Sequence, residues 1–248
     1  MNRSTPEILE EYYTITSADT DFTMKLNTSS LVNMFIQSAW HHAEALGFGI
    51  DFLHKNETVW MLARLQVKMA DTPSWNEKLI LKTWPKGIYR VFYQRDFEIS
   101  DKNDQKIAHG TSEWMIIDLK AKRPKLFHTE HHMFHADVVK HAIETVVPVL
   151  DTPEMTPEIF SRKVNYSDVD LNRHLTSTRY IDWMFDTFDL DYLGTHKCSE
   201  IIINFIREIP FGAEVILSRF PIEESGQYVF EFSNAETEVV CFRGKLAF

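Results

Sequence analysis

Leu31, Met34, Phe35 and Ala39 fall at i, i+3, i+4 and i+8, behind the hydroxyl residues Thr28 and Ser29. That spacing predicts one face of an amphipathic helix with a capping candidate at its start. From about residue 60 the period changes. "WMLARLQVKM", "EKLILKTW", "YRVFYQRDFEI" and "HGTSEWMIIDL" are rich in β-branched and aromatic residues and are divided by "DTPSWN", "PKG" and "SDKND". They predict a run of strands separated by turns. The second half repeats the order, with Thr176 or Ser177 as cap and a stripe at Ile181, Met184, Phe185 and Phe188. Strand-like segments "EIIINFIREI", "AEVILSRF", "QYVFEFS" and "EVVCFRGKLAF" follow, broken at "PFG", "EESG" and "NAET".

A helix with one apolar stripe has to bury it against another element, and an antiparallel sheet with one apolar face supplies the surface. Helix then strands, twice, therefore predicts an α+β protein. A helix of about five turns lying in a curved antiparallel sheet is the hotdog arrangement, and a tandem copy would be a double hotdog. The expected division is residues 1–127, a linker at 128–155 where the composition changes, and residues 156–248.

With 248 residues and 44% hydrophobic content, the chain can bury a sizeable core. No apolar run reaches the roughly 18 residues of a membrane span. The first residues, "MNRSTPEILEEYYTI", lack the basic and apolar regions of a secretory signal, so a cytoplasmic protein is expected. Glycine is scarce, and no glycine-rich phosphate cradle occurs. Cys198 and Cys241 have no metal-motif spacing and read as free thiols. The net charge of −10 is unevenly spread: residues 1–127 hold 16 basic and 16 acidic residues, residues 128–248 hold 10 and 20. Nucleic-acid binding is disfavoured. A local basic surface in the first half stays open, built from Lys82, Lys86, Arg90, Lys120, Lys122 and Arg123.

The stretch "YSDVDLNRHLTSTRYIDW" concentrates the candidate chemistry. In an extended lead-in, Asp170, Asn172 and His174 would point to one side, just ahead of a helix start with free N–H groups. Such a place suits a developing oxyanion. The competing reading is a plain loop in which Asp170 caps a turn, Asn172 is left-handed and His174 is exposed. Glu208, in "NFIREIPFG", ends an apolar strand, where a buried carboxylate needs a partner or a task; an exposed strand-end charge is the blander reading. His128, His131, His132 and His135 have helical spacing that could bind zinc, but neither cysteines nor a Glu-x-x-His pattern flanks them. No metal or cofactor is expected.

At these residues the chain resembles the acyl-acyl carrier protein (acyl-ACP) thioesterases of plants and bacteria. The family pattern D-x-N-x-H-[VL]-x-x-x-x-Y-I-x-W is met by "DLNRHLTSTRYIDW", and the family's downstream R-R/x-E strand segment stands here as "IRE", Ile206 to Glu208. "VWMLARLQVKM" and "TWP" extend the likeness into the first half. The resemblance implies hydrolysis of a fatty acyl-ACP thioester without metal, with Asp170, Asn172, His174 and Glu208 as the hydrolytic centre. Ile209 stands where many plant members have cysteine, so a cysteine nucleophile is not supported there. It also implies an apolar acyl channel in the first half, among Met34, Phe35, Trp40, Trp60, Met61 and Met69, and an acidic carrier protein docking on the basic surface. Acyl-CoA hydrolysis, or acyl binding without catalysis on the same fold, are the alternatives. Tandem fusion allows either a self-sufficient chain or a homodimer.

Overall fold

The computed structural model describes residues 7–127, 141–222 and 225–248. In the first half, β1 (Leu9–Thr14) precedes α1 (Thr28–Ala45), α2 (Ile50–Lys55), β2 (Thr58–Met69), β3 (Lys78–Tyr89), β4 (Phe92–Asp101), β5 (Lys106–Asp118) and the short β6 (Arg123–Pro124). In the second, β7 (Glu158–Lys163) precedes α3 (Ser177–Phe185), α4 (Leu190–Thr195), β8 (Glu200–Phe205), β9 (Glu214–Ile222), β10 (Gln227–Asn234) and β11 (Val240–Ala247). Both sets join in one sheet, ordered β1-β3-β4-β5-β2-β8-β11-β10-β9-β7, with β6 beside β5. Each of these pairings is antiparallel. The α+β expectation therefore holds at the level of one large antiparallel sheet with few helices. Among the described residues no helix is long and apolar enough to cross a membrane.

Local chemistry shifts several predicted boundaries. Asn27, not Thr28 or Ser29, caps α1, its side chain accepting from Ser30 N at 2.7 Å. Thr176 is the residue before α3 but makes no side-chain cap, and α3 stops at Phe185, leaving Phe188 beyond its end. The predicted break "PKG" lies inside β3, where the register with β4 shifts between Pro85 and Gly87. A proline without an N–H is accommodated there as a bulge instead of a turn.

The β2–β8 join has the symmetry of a two-fold axis. Gln66 faces Ile202, flanked by Arg64 opposite Asn204 and Lys68 opposite Glu200. The halves match in packing as well. Gly110 on β5 faces Phe97 and lies under Phe35 of α1; Gly244 on β11 faces Phe230 and lies under Met184 of α3. A side chain at either glycine would meet that helix residue, so the helices approach the sheet closely at these two points. Phe35 stacks on Phe97 at 4.4 Å, and Tyr180 contacts Phe205 and Phe242 at 5.2 and 4.8 Å.

The segment entering the second half is tied across both halves. Ala142 N donates to buried Asp96 of β4 at 2.9 Å, and Lys86 of β3 donates to Ile143 O. Asn204 of β8 then accepts from Leu150 N at 2.8 Å and donates to Pro148 O at 3.0 Å.

Candidate functional site

The lead-in to α3 is a tight turn, not the extended segment expected from alternation. Asp170 N donates to His174 O at 2.9 Å, and Arg173 N to Asp170 O at 3.0 Å. Arg173 takes φ of 64°, a left-handed conformation that closes the turn. The Asp170 carboxylate organises it: Oδ1 accepts from Asn172 N at 2.8 Å and His174 N at 3.1 Å, while Oδ2 faces Asn172 Nδ2 at 3.4 Å. The two readings of the stretch thus merge. Asp170 does cap a turn, and the turn aims the neighbouring side chains.

Glu208 lies past the end of β8, not within it, and its side chain is 60% exposed, which corrects the expectation of a strand-borne, buried carboxylate. The strand ends because Ile206 and Arg207 both donate to Cys241 O, so two residues oppose one carbonyl and the chain turns away. It then runs beside the Asp170–His174 turn: Leu175 N donates to Ile209 O at 2.8 Å and Phe211 N to Arg173 O at 3.0 Å. This splice brings His174 Nδ1 to 3.4 Å from Glu208 Oε2, with His174 31% exposed. The Glu208 carboxylate and the His174 imidazole therefore meet at one water-accessible point, beside the turn that carries Asn172 and leads into α3.

Tyr180, one turn into α3, is buried behind this point, and burial raises its phenol, with the charges of Cys241, Glu208 and Asp170 adding to the effect. It also bonds the backbone at Ile209. Sequence reasoning did not single it out, although it is the Tyr of the Y-I-x-W block. A second missed feature is a copy of the turn in the first half. Asp21 Oδ1 accepts from Thr23 N at 2.7 Å, Met24 is left-handed at φ 59°, Leu26 N donates to Pro73 O and Trp75 N to Met24 O. Lys25 stands where His174 does, donating to Ser74 Oγ at 2.8 Å, and Thr72 where Glu208 does. The spacing D-x-T-x-K against D-x-N-x-H was the signal that could have found it.

An apolar cleft opens in the first half, lined by Ala39, Trp40, Ala43, Trp60, Tyr93, Trp114 and others. Trp40 and Trp60 were expected there. Met34 and Phe35 are instead buried core, and Met61 and Met69 do not line the cleft. Arg95 does line it: this buried residue donates to Thr83 Oγ1 at 3.1 Å and pairs with His42 Nδ1 at 2.9 Å, and burial lowers its guanidinium to about 10. In the β2–β8 register, the chain past Phe205 heads toward the end of β2 where Trp60 stands.

Of the basic residues, Arg90, Lys120 and Lys122 are exposed in turns and Arg123 is exposed in β6, at this same end of the sheet. Lys82 lies within β3 and pairs with Glu10 at 3.5 Å. Lys86 is withdrawn: its side chain is 7% exposed and lies 3.7 Å from Asp96, a correction to its place on a docking surface. His128, His131, His132 and His135 lie outside the described residues. Among the described residues, no cluster of His, Cys, Asp and Glu has metal-holding geometry.

Comparison with known proteins adds the following. The model of the acyl-ACP thioesterase N-terminal domain matches residues 6–132, and that of the C-terminal domain matches residues 153–241. An acyl-carrier-protein hydrolase of Cuphea viscosissima is 20% identical over 237 residues, covering 89% of this chain and 56% of the relative. An oleoyl-acyl carrier protein thioesterase of Arabidopsis thaliana is 20% identical over 217 residues. The chain thus spans about half the length of the curated relatives it matches. Among solved structures, an acyl-ACP thioesterase from Bacteroides thetaiotaomicron aligns with a TM-score of 0.88 and 28% identity over 98% of both chains. A 12:0-ACP thioesterase from Umbellularia californica aligns with a TM-score of 0.85 at 16% identity, covering 98% of this chain and 97% of that one; this second likeness is one of fold.

Proposed function

The chain belongs to the acyl-ACP thioesterase family, and from that premise we propose that it hydrolyses the thioester of fatty acyl-acyl carrier protein, releasing a free fatty acid. The scaffold is read as a tandem hotdog, 1–127 and 156–248 joined by 128–155, with α1 and α3 as the central helices. The stacking of Phe35 and the ring contacts of Tyr180 against the sheet support this, as does the division between the two matched domains.

The observation that carries the functional reading is the His174–Glu208 pair at 3.4 Å, spliced together by backbone bonds between two segments. Glu208 acts as general base, drawing a proton from the attacking water. Its exposure supports this, because water reaches it without a channel. The same proton bookkeeping weighs against Asp170, whose Oδ1 is already occupied by two backbone N–H groups. Asp170 positions the turn; Asn172 and His174 orient water and polarise the carbonyl. The uncapped N-terminus of α3 stabilises the oxyanion as it forms. The thiolate then leaves on the carrier's phosphopantetheine arm. The acyl chain lies in the cleft at Trp40, Trp60 and Ala43, and the acidic carrier docks on Arg90, Lys120, Lys122 and Arg123.

The test is thiol release from matched acyl-ACP and acyl-CoA panels after metal chelation. Turnover of acyl-ACP should survive chelation and fall by about 10²–10⁴ in Glu208→Gln and in His174→Ala. Undiminished turnover in Glu208→Gln removes it as base. Acyl-CoA turnover exceeding that of acyl-ACP at every chain length overturns the choice of carrier.

A further inference from the structure

The first-half copy of the turn separates what this backbone needs in order to fold from what the second half adds to it. The two copies match bond for bond. Met24 and Arg173 are both left-handed, at φ 59° and 64°, and their carbonyls accept from Trp75 N and Phe211 N respectively. On the neighbouring segment, Ala70 N and Asp71 N both donate to Ile107 O, just as Ile206 N and Arg207 N both donate to Cys241 O. Arg173 therefore corresponds to Met24, and Arg207 to Asp71. Methionine and aspartate build the same backbone, so the fold does not call for arginine at either position.

Arg173 directly precedes His174, Arg207 directly precedes Glu208, and both arginines are exposed. The second half holds six arginines, and the other four each have a carboxylate partner: Arg162 with Asp186, Arg179 with Asp182, Arg219 with Glu158 and Arg243 with Glu231. Among the described residues, no carboxylate lies within ion-pair distance of Arg173 or Arg207, although residues 128–248 hold 20 acidic residues against 10 basic ones. The Arg207 charge is felt at the Cys241 thiol, while Cys241 and Glu208 both act on Tyr180 behind the turn, so the guanidinium shares the neighbourhood of the reacting pair. Two uncommitted cations thus flank the turn that carries an imidazole and a carboxylate.

We propose that Arg173 and Arg207 bind the phosphodiester of the carrier's phosphopantetheine arm and so deliver the thioester to His174 and Glu208. The proposal rests on the thioesterase reading above. On such a substrate the phosphodiester is the anion tied covalently to the thioester, whatever acyl chain is attached, and a guanidinium binds phosphate through paired N–H donors. The exposed Arg90, Lys120, Lys122 and Arg123 then take the body of the carrier, and the arm crosses to the turn. The first-half copy disfavours delivery to the wrong turn. Its Asp71 opposes the same anion, its Lys25 is engaged with Ser74 Oγ, and Lys25 and Thr72 supply neither imidazole nor carboxylate.

The experiment compares acyl-phosphopantetheine with acyl-pantetheine, which differ by the phosphate alone, as dodecanoyl and hexadecanoyl thioesters on the full chain at low ionic strength. The quantity read is the ratio of kcat/KM on the first to that on the second, because damage to the hydrolytic pair lowers both and leaves the ratio. Wild type should prefer the phosphorylated thioester by about tenfold, through KM, and the preference should shrink as salt is added. Arg173→Gln and Arg207→Gln should each lower the ratio by about threefold, and Arg173→Gln/Arg207→Gln should abolish the preference. A wild type without preference, or an unchanged ratio in the double variant, overturns the phosphate site and leaves the hydrolase reading standing. So does a loss confined to acyl-ACP, which assigns the arginines to carboxylates of the carrier instead. Wild type that cleaves no thioester, acyl-ACP included, refutes the hydrolase reading itself, and the phosphate site with it.

Discussion

Asp170 is the residue whose role the structure changes most. In the sequence it is one of four residues of the implied hydrolytic centre; in the fold its Oδ1 is held by two backbone N–H groups. Asparagine keeps an acceptor oxygen at that position, and alanine does not. Asp170→Asn should therefore retain kcat within about tenfold of wild type while Asp170→Ala falls further; if Asp170 were the base, both would lose the about 10²–10⁴ that base removal costs. Steady-state kinetics on the two variants decides it. The thiols give a second prediction. Burial pushes the Cys198 thiol up to about 12 and raises that of Cys241. The native protein should thus react slowly with a thiol reagent at about pH 8, and rapidly once unfolded. The folded thiols also keep their protons where unfolded ones lose them, so this contribution to stability falls as pH rises above about 8.5. Fast native labelling would contradict the burial. Asp170, Asn172 and His174 were legible as a set because residue type and spacing are local. Their geometry was not, because the turn depends on a left-handed Arg173 and on Ile209 and Pro210, which lie distant in sequence.

At the scale of elements, the close approach of helix to sheet gives a differential prediction. A methyl at Gly110 would lie 2.8 Å from Gln66 O, a backbone atom that cannot move aside, and 2.8 Å from the Phe35 ring. At Gly244 the nearest obstacle is the Met184 thioether, which can rotate, although the Phe242 ring is also near. Gly110→Ala should cost about 1–3 kcal/mol by overpacking, and Gly244→Ala less. Denaturant melts of the two proteins measure the difference; equal losses would mean that the second helix is held as rigidly as the first. The apolar stripes of α1 and α3 and most central strands were readable because burial imposes a period. The edge strands β1 and β7 were not, since their residues are largely exposed and offer little hydrophobic signal. The same reason hid the end of β8: "FIREI" reads as a continuing strand, and only the doubled bond to Cys241 O shows where it stops.

At the scale of the molecule, the connection between halves is held by a charge pair that no periodicity could have revealed. Asp96 is fully buried, accepts from Ala142 N, and lies 3.7 Å from the Lys86 ammonium, which in turn donates to the carbonyls of Ile143 and Thr145. Burial raises the Asp96 carboxyl, opposed by the bond from Thr111 and by the Lys86 charge. Removing one partner of such a pair strands the other in a dry site and costs about 3–5 kcal/mol, whereas replacing both by apolar groups is often close to neutral. Asp96→Ala should therefore be strongly destabilising, and Asp96→Ala/Lys86→Met should recover part of the loss. Stability from denaturant melts tests the cycle, and hydrogen exchange at the Ala142 amide tests the location, because that N–H loses its acceptor in both variants. If the double variant is as unstable as the sum of its singles, the pair contributes nothing as a pair, and the strap is held by Asn204 and the apolar contacts of Ile143 and Val147 instead. If the cycle closes as predicted, the lysine that looked like part of a docking surface is a fastener between the halves, and the proposed carrier contacts fall to the exposed Arg90, Lys120, Lys122 and Arg123.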